Sequence, residues 1–346
     1  MGEAPAADPR PPEGDYALLK RLVTERGLLE RHPARYLGRS AALSALLAVI
    51  VAGLIATRGS LWALAWAVPA ALLFGQLGFF AHEAAHNQVM RTSRGNYVLS
   101  LLLFNLSLGG SRGWWADKHN VHHAEPNRVG TDPDIAPGVV AMTRDEAIRS
   151  HGVERAIMRR QAGAIWPLLC LGVLQVHALS AGFLFSPRLR NAGREAALLA
   201  GHAAAYLAGL VLVLGVVRGL LFALLHRLLL GGYLGAAFLP NHVGMPMLEQ
   251  GQPLDFMGRQ VLTSRNLRGG AVTDFVFGGL ACQIEHHLFP TMPRRNLRLA
   301  APIVRHFCAE RGMAYHETSV LAGFGEVRRH LAWVAAPLRA AAPAGG

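Results

Sequence analysis

The chain has 346 residues, of which 52% are hydrophobic and only 16% charged, against a usual quarter or so for soluble domains. The excess of 34 Lys and Arg over 22 Asp and Glu gives a net charge of +12 with no nucleic-acid-binding motif, so it reads as the basic inner flank of membrane spans. Three scattered cysteines, Cys170, Cys282 and Cys308, have no paired spacing and exclude a disulfide framework.

Met1 to Gly14 is rich in Pro and Ala and carries acidic residues before any apolar run, which reads as a cytoplasmic tail rather than a signal peptide. Residues 15–39 mix six basic side chains with apolar positions and predict an amphipathic helix lying on the membrane surface. No charge then occurs between Arg39 and Arg58, and eighteen residues at the helical rise cover about 27 Å, enough to cross. A second uncharged run, Gly59 to Ala81, ends directly at His82 and returns the chain to the starting side. Asn96 to Ser111 is apolar but short, and predicts a re-entrant or surface helix. Residues 112–160 are polar, with a Pro/Asp-rich loop at Asp132-Pro133-Asp134, and predict a cytoplasmic cap.

Three further apolar runs follow: 161–187, 196–217 and 220–241. The arginine-rich loop 188–194 belongs inside and Arg218 at the outer turn, so the first of these runs is expected along the interface and the other two across. His226 and Arg227 interrupt the last run and are expected to snorkel toward the outer interface. The sum is an all-α membrane protein with four transmembrane helices, both termini and a polar cap on the cytoplasmic side. Its parts are an N-terminal tail and amphipathic helix (1–39), a membrane domain with its cap (40–320) and a C-terminal tail (321–346).

Seven histidines stand out against this background: His82 and His86; His119, His122 and His123; His286 and His287. Their i, i+3 and i, i+4 spacings put them on shared helix faces, and that many imidazoles at a membrane boundary are costly to desolvate without a partner. Convergent neutral imidazoles signal a metal site. The other histidines (His151, His177, His202, His226, His306, His316 and His330) read as packed or hydrogen-bonded residues. His82-Glu83-Ala84-Ala85-His86 also fits the HExxH pattern of a hydrolytic zinc site, with Glu83 as base. Seven or more histidines are too many for one zinc and fit two ions, and iron suits a ligand-rich site open to dioxygen.

Taken with their surroundings, the clusters resemble the membrane fatty acid desaturase family. HxxxH, HxxHH and a late QxxHH occur in that order, preceded by Gly113-Trp114-Trp115-Ala116-Asp117-Lys118 and by Gln260-Val261-Leu262-Thr263-Ser264-Arg265-Asn266. The likeness covers about residues 40–320, and a glutamine opening the third box is similar to front-end and related bacterial acyl-lipid or acyl-CoA desaturases. It implies dioxygen-dependent insertion of a double bond into an acyl chain at two irons. The resemblance assigns His82, His86, His119, His122, His123, His286 and His287 as ligands, with His242 as the histidine that follows the last span. Gln283, Asp117, Glu285 and Asn241 are expected to orient those ligands, and Trp114 and Trp115 to wall the acyl tunnel. No haem-binding HPGG motif is present, so the resemblance implies a separate electron donor, ferredoxin or a flavin-dependent reductase. Arg188, Arg190 and Lys118 are expected to steer a phosphate headgroup or an acidic donor. The composition, rich in Ala, Arg and Gly, points to a bacterial cell membrane. A lipid or carotenoid hydroxylase or ketolase on the same scaffold, a membrane zinc protease and a non-enzymatic metal-binding scaffold remain as alternatives.

Overall fold

The computed structural model describes residues 14–340. The first helix, α1 (Asp15–Glu25), is amphipathic as expected, but its apolar face does not serve the membrane. Leu19 and Val23, one turn apart, are fully buried against Met257, Ile284 and Leu288. The basic residues therefore face outward while the apolar ones join the core of the cap.

Five helices are long and apolar enough to cross a membrane. They are α2 (Pro33–Thr57), a 3-10 turn running into α3 (Ala67–Ala85), α8 (Gln161–Phe183), α9 (Ala192–Leu214) and α10 (Val216–His242). At 25 residues, α2 measures about 37 Å, long enough to cross with some tilt. Arg218 in the first turn of α10 donates to Leu214 O at the end of α9 and to Gly59 O in the α2–α3 turn, so these turns lie at one end of the bundle, opposite the histidines.

The expected snorkelling of His226 and Arg227 does not occur. Both are buried and turned inward: the Arg227 guanidinium donates to His202 Nε2 (2.7 Å) and Leu108 O (3.3 Å), and Tyr206 bonds His226 Nδ1. Buried in the bundle, Arg227 is satisfied by His202 and the carbonyl of a helix end, and His226 Nδ1 by the Tyr206 hydroxyl.

That helix end belongs to the short apolar run 96–111. It forms α4 (Ser93–Leu101), which widens into a π-helix at Leu102–Leu108 and stops at Gly109, whose φ of 78° only glycine tolerates freely. The widening turns Asn105 inward to Glu195 and leaves the chain ready to start α5 (Arg112–Ala124).

Helix α8 packs along α10 through Gly231 and Gly235, four residues apart. A Cβ at Gly231 would run into Cys170 O, and one at Gly235 would come within 2.7 Å of Leu169. Small residues at this spacing let two backbones approach closely in a bilayer. Gly235→Leu is expected to cost about 1–3 kcal/mol by overpacking, read as a lower melting midpoint in detergent, whereas Gly209→Leu, with open space around it, should be neutral.

The polar regions form the cap. It contains α6 (Arg144–Arg149), α7 (Gly152–Met158), α11 (Phe256–Leu262), α12 (Ala271–Val276), α13 (Gln283–Leu288), α14 (Arg294–Glu310), α15 (Val320–Val334) and α16 (Ala336–Ala340). The all-α expectation needs one addition, a parallel pair of short strands, β1 (Asn266–Arg268) and β2 (Glu317–Ser319). Residues 321–340 are also no loose tail: Val327 and Leu331 of α15 are fully buried beside Ile165 and Leu239. Apolar periodicity in α14 does the same on the other side, with Leu297, Ala300, Val304 and Phe307 covering α13.

Candidate metal centre

Helix α3 ends at the centre with Phe79, Phe80, Ala81, His82, Glu83 and Ala84 all buried. Helix α5 enters beside it, capped by Ser111, whose Oγ accepts from Trp114 N. Its rise aligns His119 with His123 on one face and swings His122 to the next. Helix α13, fully buried, brings His286 and His287 from beneath. Helix α10 supplies His242 from its last turn, where Arg265 caps the exposed carbonyls of Pro240 (2.5 Å) and Val243 (3.1 Å).

These eight imidazoles gather into two adjoining groups: His82, His86, His119, His123 and His286; and His122, His242 and His287. In the first, His82, His86 and His123 bring their Nε2 atoms to 3.2, 2.9 and 3.0 Å from His119 Nε2. Hydrogen bonds cannot account for this convergence, since each neutral ring has one proton to offer. Nitrogens about 2.1 Å from a shared ion would stand about 3.0–3.4 Å apart, close to the observed spacing. His286 Nε2 and His287 Nε2 are buried with no hydrogen-bond partner among the described residues. The residues present fit a pair of metal ions.

In the second group every Nδ1 is pinned by an oxygen. His122 Nδ1 donates to Asp132 (3.0 Å), His242 Nδ1 to Thr263 O (2.9 Å) and His287 Nδ1 to Gln260 Oε1 (2.9 Å). Each bond fixes the tautomer and leaves Nε2 unprotonated, the form in which an imidazole can take a metal. Asp132 is itself held by Asn127 N and Asp134 N, so the loop at 127–134 is folded around His122. Burial, then the neighbouring imidazoles, holds His119, His123, His286 and His287 well below the usual histidine range, in the neutral form that binds metal. Burial also depresses His122, but Asp134 and Asp132 outweigh it and leave that imidazole above the usual value.

The expected orienting residues divide. Gln283 lies at the second group, its amide nitrogen 2.9 Å from His242 Nε2, and Asn241 donates to Gln283 Oε1 (3.3 Å) rather than to a ring. Asp117 does not reach an imidazole; it pairs with Arg188 (2.9 Å), because it projects from the outer face of α5. Glu285 is buried but faces away from its neighbouring histidines, accepting from Asn266 (2.7 Å) and Tyr315 (2.8 Å). Burial raises its carboxyl to about 7 against the pull of those two bonds. The acceptors that sequence reasoning missed are Asp132, Gln260 and the carbonyl of Thr263. All three lie in stretches already conspicuous, the Pro/Asp loop and the segment 260–266.

Trp115 stacks on His119 (4.2 Å between centroids) and on Phe104 (4.8 Å), so it walls the first group. Trp114 sits apart from the rings, under Lys118, which in turn pairs with Asp134 (2.5 Å). Glu83, the would-be base of the HExxH reading, is held by Arg39 (2.6 Å) and Arg294 (3.7 Å). A carboxylate locked between two guanidiniums is poorly placed to activate water. His177, His306, His316 and His330 have ordinary partners, such as Glu326 for His316 and Met142 O for His330.

The family model for fatty acid desaturases matches residues 60–319, which include all eight histidines. The chain belongs to this family. Among curated desaturases it is 28% identical to an acyl-lipid (9-3)-desaturase of Physcomitrium patens over 97% of its own length and 65% of that relative. It is 32% identical to the delta(5) fatty acid desaturase fat-4 of Caenorhabditis elegans over 78% of this chain and 65% of the relative. With the delta(8)-fatty-acid desaturase of Euglena gracilis the identity is 30%, over 75% and 64%. The chain thus spans just under two thirds of the length of these desaturases.

A polar partner behind a metal ligand typically matters 10–100-fold in metal affinity or activity. Asp132→Asn keeps the shape but weakens the acceptor for His122 Nδ1, so a loss in that range is expected. Measuring iron content beside activity checks it, and wild-type iron retention together with wild-type turnover would remove Asp132 from the role.

Proposed function

We propose that the chain is a membrane acyl desaturase that uses dioxygen, two external electrons and two protons from water to remove one hydrogen from each of two adjacent methylenes, giving a double bond and two waters. The two adjoining histidine groups carry this reading, with His82, His86, His119, His123 and His286 for one iron and His122, His242 and His287 for the other. Bound iron would supply the redox chemistry by which dioxygen is reduced at the expense of unactivated C–H bonds.

The chain's own residues supply position. Asp132, Gln260 and the Thr263 carbonyl hold three imidazoles in one tautomer, and Arg265 keeps the end of α10, with His242, in place. Gln283 lies against His242 and tunes that group. Trp115, stacked on His119 and Phe104, gives an acyl chain an apolar wall beside the first group and shields it from water.

The topology we propose is four crossings, with α8 lying obliquely. Three bonds support it: Gln161 at the start of α8 accepts from Ala141 N and donates to Leu331 O, and Ser180 near its end accepts from Ser111 N at the start of α5. Both ends of α8 thus attach to segments next to the histidine-bearing cap. The arginines at 188, 190 and 194 support a cytoplasmic site, with both ends of the described chain on that side. Electrons would come from ferredoxin or a flavin-dependent reductase, the substrate would be an acyl-lipid or acyl-CoA, and the composition supports a bacterial cell membrane.

Expression in a host of known fatty acids, with mass spectrometry of total acyl chains, tests the reaction. A new chain two mass units lighter, missing with His122→Ala, is the expected result. An oxygen-bearing product would move the protein to a hydroxylase reading. Purified protein that takes up no iron would overturn the site.

A further inference from the structure

We propose that a cleft at the inner foot of α2 is a phosphate site that seats the headgroup of the acyl donor. It has a volume of about 520 Å3 and is lined by Arg31, His32 and Arg35 from one side and Met90, Arg91 and Thr92 from the other. No acidic residue lines it among the described residues. The Arg31 guanidinium is fixed across the cleft by Arg91 O (3.1 Å) and Met90 O (3.5 Å), which ties the start of α2 to the loop after α3. Arg35 and Arg91 are exposed, and their side chains have no hydrogen bond or ion pair among the described residues.

This separates them from the other cations near the centre. Arg188 is spent on Asp117, Lys118 on Asp134, Arg39 and Arg294 on Glu83, and Arg298 on Asp274. Two unpaired guanidiniums facing one concavity, with a third anchored between them, match the planar, forked donors that phosphate oxygens accept. Single arginines scattered along a membrane boundary would serve orientation equally well; a shared cleft without a carboxylate asks for an anion.

The position suits a headgroup. Arg35 stands one turn before Arg39, which bonds Glu83, the neighbour of His82; Tyr36 between them stacks on Phe80 (5.6 Å). Arg91 lies on the loop that leaves α3 just after His86. The cleft is therefore at the level where α2 enters the membrane and adjoins the segment carrying the first two histidines. An amphiphile whose phosphate rests here has its acyl part beside the centre. This deepens the desaturase reading and rests on it for the word substrate, but phosphate binding itself does not.

Two donors share that chemistry, a phospholipid and acyl-CoA. Iron-loaded full-length protein in an uncharged maltoside detergent would be titrated calorimetrically with dioctanoyl phosphatidate against dioctanoylglycerol, and with palmitoyl-CoA against palmitate. The expected result is that one phosphate-bearing probe binds more tightly than its phosphate-free partner, and the probe that does so identifies the source. Arg35→Gln with Arg91→Gln should weaken that probe by at least about tenfold, Arg35→Lys with Arg91→Lys by less, and Arg58→Gln at the opposite end of α2 not at all. The lysine pair keeps the test open should the glutamine pair fold poorly. Equal binding of both partners in each pair, or wild-type affinity in either double variant, would overturn the site. Because binding is read without turnover, a protein that binds phosphate but forms no double bond would sink the reaction and spare the cleft.

Discussion

His286→Ala is expected to abolish the proposed double-bond formation, a loss beyond the roughly 100-fold that a partner behind a ligand can explain. The ring is fully buried on α13, lies 4.8 Å from His82 and 4.9 Å from both His86 and His123 between centroids, and its Nε2 has no hydrogen-bond partner among the described residues. Removing it takes a ligand from the first group and opens a space among rings that cannot satisfy one another. Iron per chain should fall at the same time, while the helical content stays. An alanine variant with full iron and measurable product would show that His286 is only packing. His306→Ala is the matched control, since that exposed imidazole meets only Glu310.

Glu195→Ala should be the most damaging change outside the histidines. This buried carboxyl, near the start of α9, accepts from Asn105 Nδ2 (3.0 Å), Ser111 Oγ (2.5 Å) and Gly113 N (3.0 Å). It therefore ties the π-helix to the first turn of α5, where a negative group also complements the helix dipole. Deleting it strands three buried donors at about 1–3 kcal/mol each. A fall in the detergent melting midpoint on the order of 10 °C would follow, together with lost iron, because α5 carries His119, His122 and His123. Glu195→Gln keeps part of the acceptor set and should recover part of both. If alanine lowered neither the midpoint nor the iron content, the bracing role would be wrong.

Much of the architecture could be read in advance because charge is so sparse. The gaps between Arg39 and Arg58 and from Gly59 to Ala81 bound two helices by themselves, and the histidine spacing named seven residues that do converge. His242 was reached only through family likeness, since a lone histidine at a helix end carries no pattern. Three features were not legible. Apolar positions in 15–25 look the same whether they meet lipid or Met257 and Ile284, so α1 was assigned to the wrong solvent. The inward turn of Arg227 depends on His202 and on the carbonyl of Leu108, which the end of the π-helix presents. The oxygen partners of the rings lie 10 to 27 positions away along the chain, beyond any local periodicity.

The two histidine groups are built on shared supports: α5 sends His119 and His123 to one and His122 to the other, and α13 divides His286 and His287 in the same way. An ion settling in either group fixes two of the three helices on which the other depends. The entropy of ordering those helices is then met once for two binding events. Uptake should accordingly be cooperative: on titrating apo-protein with ferrous iron, chains carrying one ion should be rarer than independent sites would give. The pair would be gained and surrendered together, and a half-filled centre would seldom be exposed to dioxygen.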